Sequence, residues 1–165
     1  MLTKKESYNV AVVGATGIVG ESLLEILYSR RFPISSIHAV ASKKSKGSKA
    51  KFGDQLLTVE SLDEFNFTDI DIAFFSAGSS VSKEYATKAT TQGCIVIDNT
   101  SEFRYEQDIP LVVPEVNPQD IDLYKHKNII ANPNCSTIQM LVALKPLHDT
   151  FCVKHINVCT CLLYT

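Results

Sequence analysis

The run Val10-Ala11-Val12-Val13-Gly14-Ala15-Thr16-Gly17-Ile18-Val19-Gly20 decides the fold. Its first four residues are apolar and read as a buried strand, and a helical apolar pattern begins at Ile18 and continues to Ser29. The glycines stand where one element becomes the other. At such a junction glycine lets the backbone turn tightly and approach a pyrophosphate, whose charge the N-terminus of the following helix stabilises. The spacing G-x-x-G-x-x-G is a variant of the dinucleotide fingerprint. Gly14, Thr16, Gly17, Ile18, Val19 and Gly20 are therefore the expected cofactor contacts. A plain strand-to-helix turn is the competing reading, and the flanking strand and helix weaken it.

Downstream, strand-like and helix-like runs alternate. Strands are expected at 37–41, 55–59, 72–76, 95–98 and 129–131, with a helix at 81–91 between two of them. A lysine- and glycine-bearing loop follows the second strand. Strands bridged by helices at this spacing predict a doubly wound, mostly parallel α/β sheet. The stretch 101–127 is less regular, divided by Pro110, Pro114 and Pro118 ahead of a short helix at 119–125. A further strand is expected at 153–160.

The end of the second strand bears on the choice of cofactor. An NAD site places a carboxylate there to bond the ribose 2′-hydroxyl, whereas this chain has Ala41-Ser42-Lys43-Lys44-Ser45. Hydroxyl and ammonium groups suit a 2′-phosphate, so NADP is the expected cofactor.

Asn132-Pro133-Asn134-Cys135-Ser136-Thr137 sets a cysteine between a proline turn and an apolar helix. A thiol at a helix N-terminus is where unpaired amides and the helix dipole favour the thiolate, the nucleophilic form. Cys135 is the expected nucleophile, with Ser136 and Thr137 available to bond the amides of the first turn. The other cysteines, Cys94, Cys152, Cys159 and Cys161, read as small buried hydrophobes, and the five form no C-x-x-C pair. Neither a disulfide framework nor a zinc site is indicated.

Composition limits the function classes. The 165 residues are 45% apolar with a net charge of −2, enough for one domain with a core and without a basic footprint for nucleic acid. No apolar run approaches the roughly 20 residues that span a bilayer. The expected location is cytoplasmic, with no membrane or nucleic-acid partner.

Taken together, the glycine loop, Phe75-Ser76-Ala77-Gly78-Ser79-Ser80, Val96-Ile97-Asp98-Asn99-Thr100-Ser101-Glu102-Phe103-Arg104 and the cysteine block resemble aspartate-semialdehyde dehydrogenase. The run 110–117 also resembles that family, and the likeness spans 8–160. It implies a Rossmann-like domain over 1–132 and the first elements of an α+β catalytic domain over 133–160. It further implies an NADP-dependent oxidoreductase that interconverts L-aspartate 4-semialdehyde and phosphate with L-4-aspartyl phosphate, in lysine, methionine and threonine biosynthesis by way of diaminopimelate.

Site roles follow from the same resemblance. Cys135 would carry an acyl-thioester, Asn134 would orient the substrate or stabilise the oxyanion, and Arg104 would bind phosphate. Ser42, Lys44 and Ser45 would hold the adenosine 2′-phosphate, although an arginine is common where Lys44 stands. Ser76, Ala77 and Gly78 would line the cofactor. The family forms homodimers or homotetramers, largely through the substrate domain.

The chain departs from the family after Thr160. Cys161-Leu162-Leu163-Tyr164-Thr165 stands where a Thr-Tyr-Gln block is expected, and it matches one reading frame of a common transposon sequencing adapter. Residues 161–165 are thus expected to be a non-native tail. The family's glutamine, basic pair and catalytic histidine are expected beyond it, and none of His38, His126, His148 and His155 lies in such a motif. No turnover is expected from these 165 residues alone, and apolar faces of the cysteine helix and the last strand are expected to be exposed. The alternatives are an acetylglutamyl-phosphate reductase-like enzyme, disfavoured because that family usually has His-Pro-Gly before its cysteine, and a stand-alone NADP-binding module.

Overall fold

A computed structural model describes residues 4–159. The chain opens with strand β1 (Tyr8–Val13) and helix α1 (Ile18–Ser29), then β2 (Ile34–Ala41). A 3₁₀ turn at Lys43–Ser45 leads to a hairpin of β3 (Lys49–Phe52) and β4 (Gln55–Thr58). Next come the two-residue strand β5 (Glu60–Ser61), a 3₁₀ turn at Leu62–Glu64, β6 (Ile72–Phe75) and helix α2 (Ser79–Thr91). Strand β7 (Ile95–Asp98), a 3₁₀ segment at Pro118–His126, β8 (Ile129–Ala131) and helix α3 (Cys135–Phe151) complete the order.

Six strands form one sheet in the order β5-β2-β1-β6-β7-β8, with every neighbouring pair parallel. Two faces of β1 seed two cores. Val10 and Val12 pack with Leu24 and Leu27 of α1, while Ala11 and Val13 pack with Ala86 and Ala89 of α2. Both helices thus cover the sheet from opposite sides, the doubly wound arrangement expected. The strand order reverses direction between β1 and β6, and in such sheets ligands bind in the crevice outside the strands' carboxyl ends at that switch point.

Several expectations need correction. The second strand starts at Ile34 rather than 37, and the helix expected at 81–91 begins two residues earlier at Ser79. The lysine-bearing loop contains the first arm of the β3–β4 hairpin, turned by Gly53 at φ +58. Residues 153–159 form no strand, because a strand exists only through ladder bonds to a neighbour and none among the described residues pairs with them. Residue 160 and the expected tail 161–165 lie outside the described residues.

Helix α3 differs from α1 and α2 in burying none of its side chains. Val142, Leu147 and Phe151 on it, and Ile156 and Val158 after it, are exposed. Among the described residues no helix is long and apolar enough to cross a membrane.

Candidate active site

Four strands end in one row. Val13 stands opposite Phe75, Phe75 opposite Asp98, and Asp98 opposite Ala131. The next residue of each strand is tied to its neighbour by a backbone bond. Gly14 N–H donates to Val40 O (2.8 Å), Ser76 N–H to Val13 O (2.9 Å), Asn99 N–H to Phe75 O (2.8 Å) and Asn132 N–H to Asp98 O (2.8 Å). Segments distant in sequence therefore emerge side by side at the sheet's carboxyl edge.

The glycine loop is pressed against this row. Gly14 has φ +90, and a Cβ on it would stand 2.9 Å from Ser76 Oγ. At Gly20 a Cβ would stand 2.2 Å from Gly14 O, so the first turn of α1 packs directly on the loop. Gly17 is the N-cap of α1 and Gly78, at φ +95, is the N-cap of α2. Neither helix has a capping side chain, so the first-turn amides of both lack the side-chain acceptor that usually satisfies them. Helix α3 contrasts with them: Asn134 Oδ1 accepts from the Ser136 amide (3.0 Å) and from Ser136 Oγ (2.5 Å). The expected caps Ser136 and Thr137 give way to Asn134, to which Ser136 donates.

A groove of about 670 Å³ runs over the loop. Gly14, Thr16 and Gly17 line it with Ser76 and Ala77, flanked on one side by Ser42, Lys43 and Lys44. Lys44 makes no hydrogen bond or ion pair among the described residues. The far wall is Leu62 and Asp63 after β5, facing Val81, Glu84 and Tyr85 of α2. Tyr85 donates its phenol proton to Asp63 Oδ1 (2.9 Å). That hydrogen bond, with some burial, pushes the Tyr85 phenol up to about 12. Lys88 Nζ lies 4.2 Å over the Tyr85 ring and pairs with Glu84 (2.9 Å).

The geometry fits a dinucleotide. The bare N-terminus of α1 opens on a groove lined by Gly14 and Gly17, where a Cβ on Gly14 would clash with Ser76, and that of α2 opens on the adjoining hollow. Unpaired helix-terminal amides of this kind are the donors a pyrophosphate requires.

A second hollow of about 340 Å³ adjoins the groove at Ser76 and is lined by Val19, Gly78, Ser79, Asn99 and Arg104 among others. Arg104 is half-buried, and its guanidinium makes no ion pair with Glu102 or Glu106. Its Nε donates to Asn132 O (3.0 Å) and its Nη2 to Asn99 O (3.2 Å). Asn132 Nδ2 in turn donates to Asn99 Oδ1. Beneath this cluster Asp98 is wholly buried and accepts from the hydroxyls of Ser82 (2.6 Å) and Thr100 (2.7 Å).

Cys135 is the first residue of α3 and is exposed. Cys94 is buried, and burial, with the Asp71 carboxylate adding, pushes its thiol up to about 12. Cys152 and Cys159 are exposed, one at the C-cap of α3 and one beyond it. No group of three or more histidine, cysteine or acidic side chains among the described residues could hold a metal ion.

The expected site residues thus divide. Gly14, Thr16, Gly17, Ser42, Lys44, Ser76 and Ala77 share the groove, while Val19, Gly78 and Arg104 share the adjoining hollow. Ile18 turns its side chain outward, 82% exposed, and Gly20 is buried behind the loop. Ser45 lines neither cavity, its amide bonding Ser42 O. Cys135 and Asn134 lie in the turn that Arg104 holds at Asn132. Lys43, Asp63, Glu84 and Tyr85 were not anticipated as groove residues. The spacing of Val81, Glu84 and Tyr85, one helical face, was a usable signal for the last two.

Comparison with known proteins agrees with this geometry. Residues 9–124 match the family model described as semialdehyde dehydrogenase, NAD binding domain. An aspartate-semialdehyde dehydrogenase of Legionella pneumophila is 57% identical over 152 residues, covering 92% of this chain and 44% of that protein. The enzyme of that name from Shewanella violacea is 50% identical over 155 residues, covering 94% of this chain and 46% of the relative. The chain spans about half the length of the curated relatives it matches. Among solved structures, aspartate semialdehyde dehydrogenase II of Vibrio cholerae complexed with ASA is similar at 52% identity and a TM-score of 0.84, over 87% of this chain and 47% of that one. Aspartate semialdehyde dehydrogenase with NADP from Candida albicans is similar at 32% identity and a TM-score of 0.72, over 88% and 48%.

Proposed function

The chain belongs to the semialdehyde dehydrogenase family, and we propose that it is part of an NADP-dependent aspartate-semialdehyde dehydrogenase in which Cys135 is the nucleophile. The observation that carries this reading is the pair of bonds from Arg104 to Asn99 O and Asn132 O. They hold a guanidinium between the hollow beside the glycine loop and the turn that bears Cys135.

In this reading residues 1–132 bind the cofactor and 133–160 begin the catalytic domain, with the sheet's last strand ending at Ala131. The bare N-termini of α1 and α2 receive the pyrophosphate. Lys44 and Ser42 receive the 2′-phosphate, with Lys44 giving charge but no planar fork. The nicotinamide, when bound, accepts hydride from the substrate carbon.

The Cys135 sulfur forms a bond to the aldehyde carbon of L-aspartate 4-semialdehyde, giving a hemithioacetal. Loss of hydride from that carbon, and of the hydroxyl proton to a base, leaves a thioester on Cys135. A phosphate oxygen then attacks the thioester carbon, the C–S bond breaks, and sulfur returns as thiolate while aspartyl phosphate departs. Arg104 holds the phosphate through guanidinium hydrogens not used on the two carbonyls. Asn134 has its oxygen engaged in the α3 cap, so its amide hydrogens are left to donate to a developing oxyanion. The product is an intermediate of lysine, methionine and threonine biosynthesis, formed by a homodimeric or homotetrameric enzyme.

Titration calorimetry of the chain with NADP and NAD tests the cofactor assignment. NADP is expected to bind at least about tenfold more tightly, with Lys44→Glu removing the preference while leaving NAD affinity within about twofold. Equal affinities in the wild type would defeat the NADP assignment. For the nucleophile, iodoacetamide should modify Cys135, and aspartate semialdehyde with NADP should protect it while Cys152 and Cys159 stay unprotected. Equal protection of all three would remove Cys135 from its role.

A further inference from the structure

The groove is asymmetric in a way that bears on which nucleobase it takes. Sheet order puts Ser42 and Lys44 on the β2–β5 side of the glycine loop, and Arg104 with the Cys135 turn on the β7–β8 side. The nicotinamide must approach the carbon held at Cys135. Its partner nucleoside therefore lies on the other side, against the wall that Leu62 and Asp63 form together with Val81 and Tyr85.

That wall is held together by a hydrogen bond between its two elements. Tyr85 donates to Asp63 Oδ1, which fixes the carboxylate against α2, and Asp63 Oδ2 makes no hydrogen bond among the described residues. Lys88 above the Tyr85 ring restricts the phenol side further. The result is an oriented acceptor at the edge of a partly apolar slot.

We propose that Asp63 determines base specificity, its free carboxylate oxygen accepting a hydrogen bond from the 6-amino group of adenine while repelling a 6-oxo purine. This rests on the dinucleotide reading of the groove. An ionised carboxylate offers lone pairs only. Adenine presents N–H donors at position 6, whereas hypoxanthine presents another acceptor there, leaving two acceptors face to face. Tyr85 is a positioning residue, acting through Asp63, and its raised phenol keeps it a donor across the working pH range.

The test is titration calorimetry of the chain with NADP and with deamino-NADP, which carries hypoxanthine in place of adenine. Wild type is expected to prefer NADP by about tenfold or more. Asp63→Asn, whose amide can turn either an acceptor or a donor to the base, should bring the ratio to within about twofold. Tyr85→Phe leaves Asp63 in place but frees its carboxylate to rotate, so its ratio should fall between those of wild type and Asp63→Asn. It serves as the second variant should the asparagine variant fold poorly, and an unchanged ratio in a folded Tyr85→Phe overturns the positioning role. Equal affinity of wild type for the two dinucleotides, or an unchanged ratio in a folded Asp63→Asn, overturns the assignment of Asp63 while the dinucleotide groove stands. Failure of wild type to bind either one overturns the groove's reading itself.

Discussion

Arg104 Nε donates to the carbonyl oxygen of Asn132 at 3.0 Å, three residues ahead of Cys135. The same guanidinium reaches Asn99 O, so one side chain joins the ends of β7 and β8. Lysine has the charge but not the fork. Arg104→Lys should lose at least one of the two carbonyl bonds and lower stability by about 1–2 kcal/mol, read as a lower urea midpoint. An unchanged midpoint would show that the fork does not hold the Cys135 turn.

Gly20 of α1 and the helix's N-cap Gly17 should respond differently. Gly20→Ala puts a methyl 2.2 Å from Gly14 O, against backbone that cannot yield, and should cost about 2 kcal/mol or more. Gly17→Ala meets only Gly14 O at 3.5 Å, an ordinary contact, so its thermal midpoint should barely move. Its NADP affinity should nevertheless fall about tenfold, because the methyl projects where the pyrophosphate approaches. Thermal unfolding and calorimetry on both variants separate packing from binding.

Asp98→Ala removes the acceptor of two hydroxyls in the interior below Arg104. Ser82 is fully buried and Thr100 nearly so. Thr100 Oγ1 still accepts from the Glu102 amide, but both hydroxyl protons lose their acceptor. That loss should cost about 2 kcal/mol or more in urea unfolding, and adding Ser82→Ala to the variant should recover part of it.

The pH dependence of stability has a local source at the opposite end of the sheet. Burial pushes the Asp71 carboxyl up, but the Lys5 ammonium at 2.6 Å and the Asn9 amide at 2.9 Å outweigh it and hold the group below its ordinary value of 3.8. A carboxyl lowered in the folded state contributes stability above its ordinary value and loses it as pH falls through the folded one. Unfolding midpoints should therefore drop below pH 3.8 more steeply in wild type than in Asp71→Asn.

Thiol accessibility gives a further check. Iodoacetamide should modify Cys135, Cys152 and Cys159 in the native chain and spare Cys94 until denaturant is added, as peptide mass spectrometry would reveal. Native labelling of Cys94 would contradict the β7 core.

Much of the sheet was legible because its parallel strands are continuous apolar runs punctuated by glycine, the strongest local signals a chain carries. The hairpin was half missed because Lys49-Ala50-Lys51-Phe52 alternates over only four residues and reads as a charged loop. Residues 153–159 failed for the opposite reason: alternation was present, but pairing is non-local and none of the described strands pairs with them. In the site, the glycine loop and the Cys135 turn were visible as contiguous motifs. Asp63 and Tyr85 were not, because they meet across 22 positions only after β5 and α2 have been placed by the sheet. Ile18 was misleading because a contiguous motif does not say that alternate side chains of a helix's first turn face away.

The aligned strand ends also make a statement about which length changes the molecule can absorb. Gly14, Ser76, Asn99 and Asn132 each follow a strand whose last residue stands in the same cross-sheet row. One residue inserted within β6 or β7 would advance the following segment by about 3.3 Å and turn its side chain to the other face. The same insertion at the tip of the β3–β4 hairpin or in 101–127 would leave that row untouched. Homologous chains should therefore vary in length at their connections and keep the residue count of β1, β6, β7 and β8 constant.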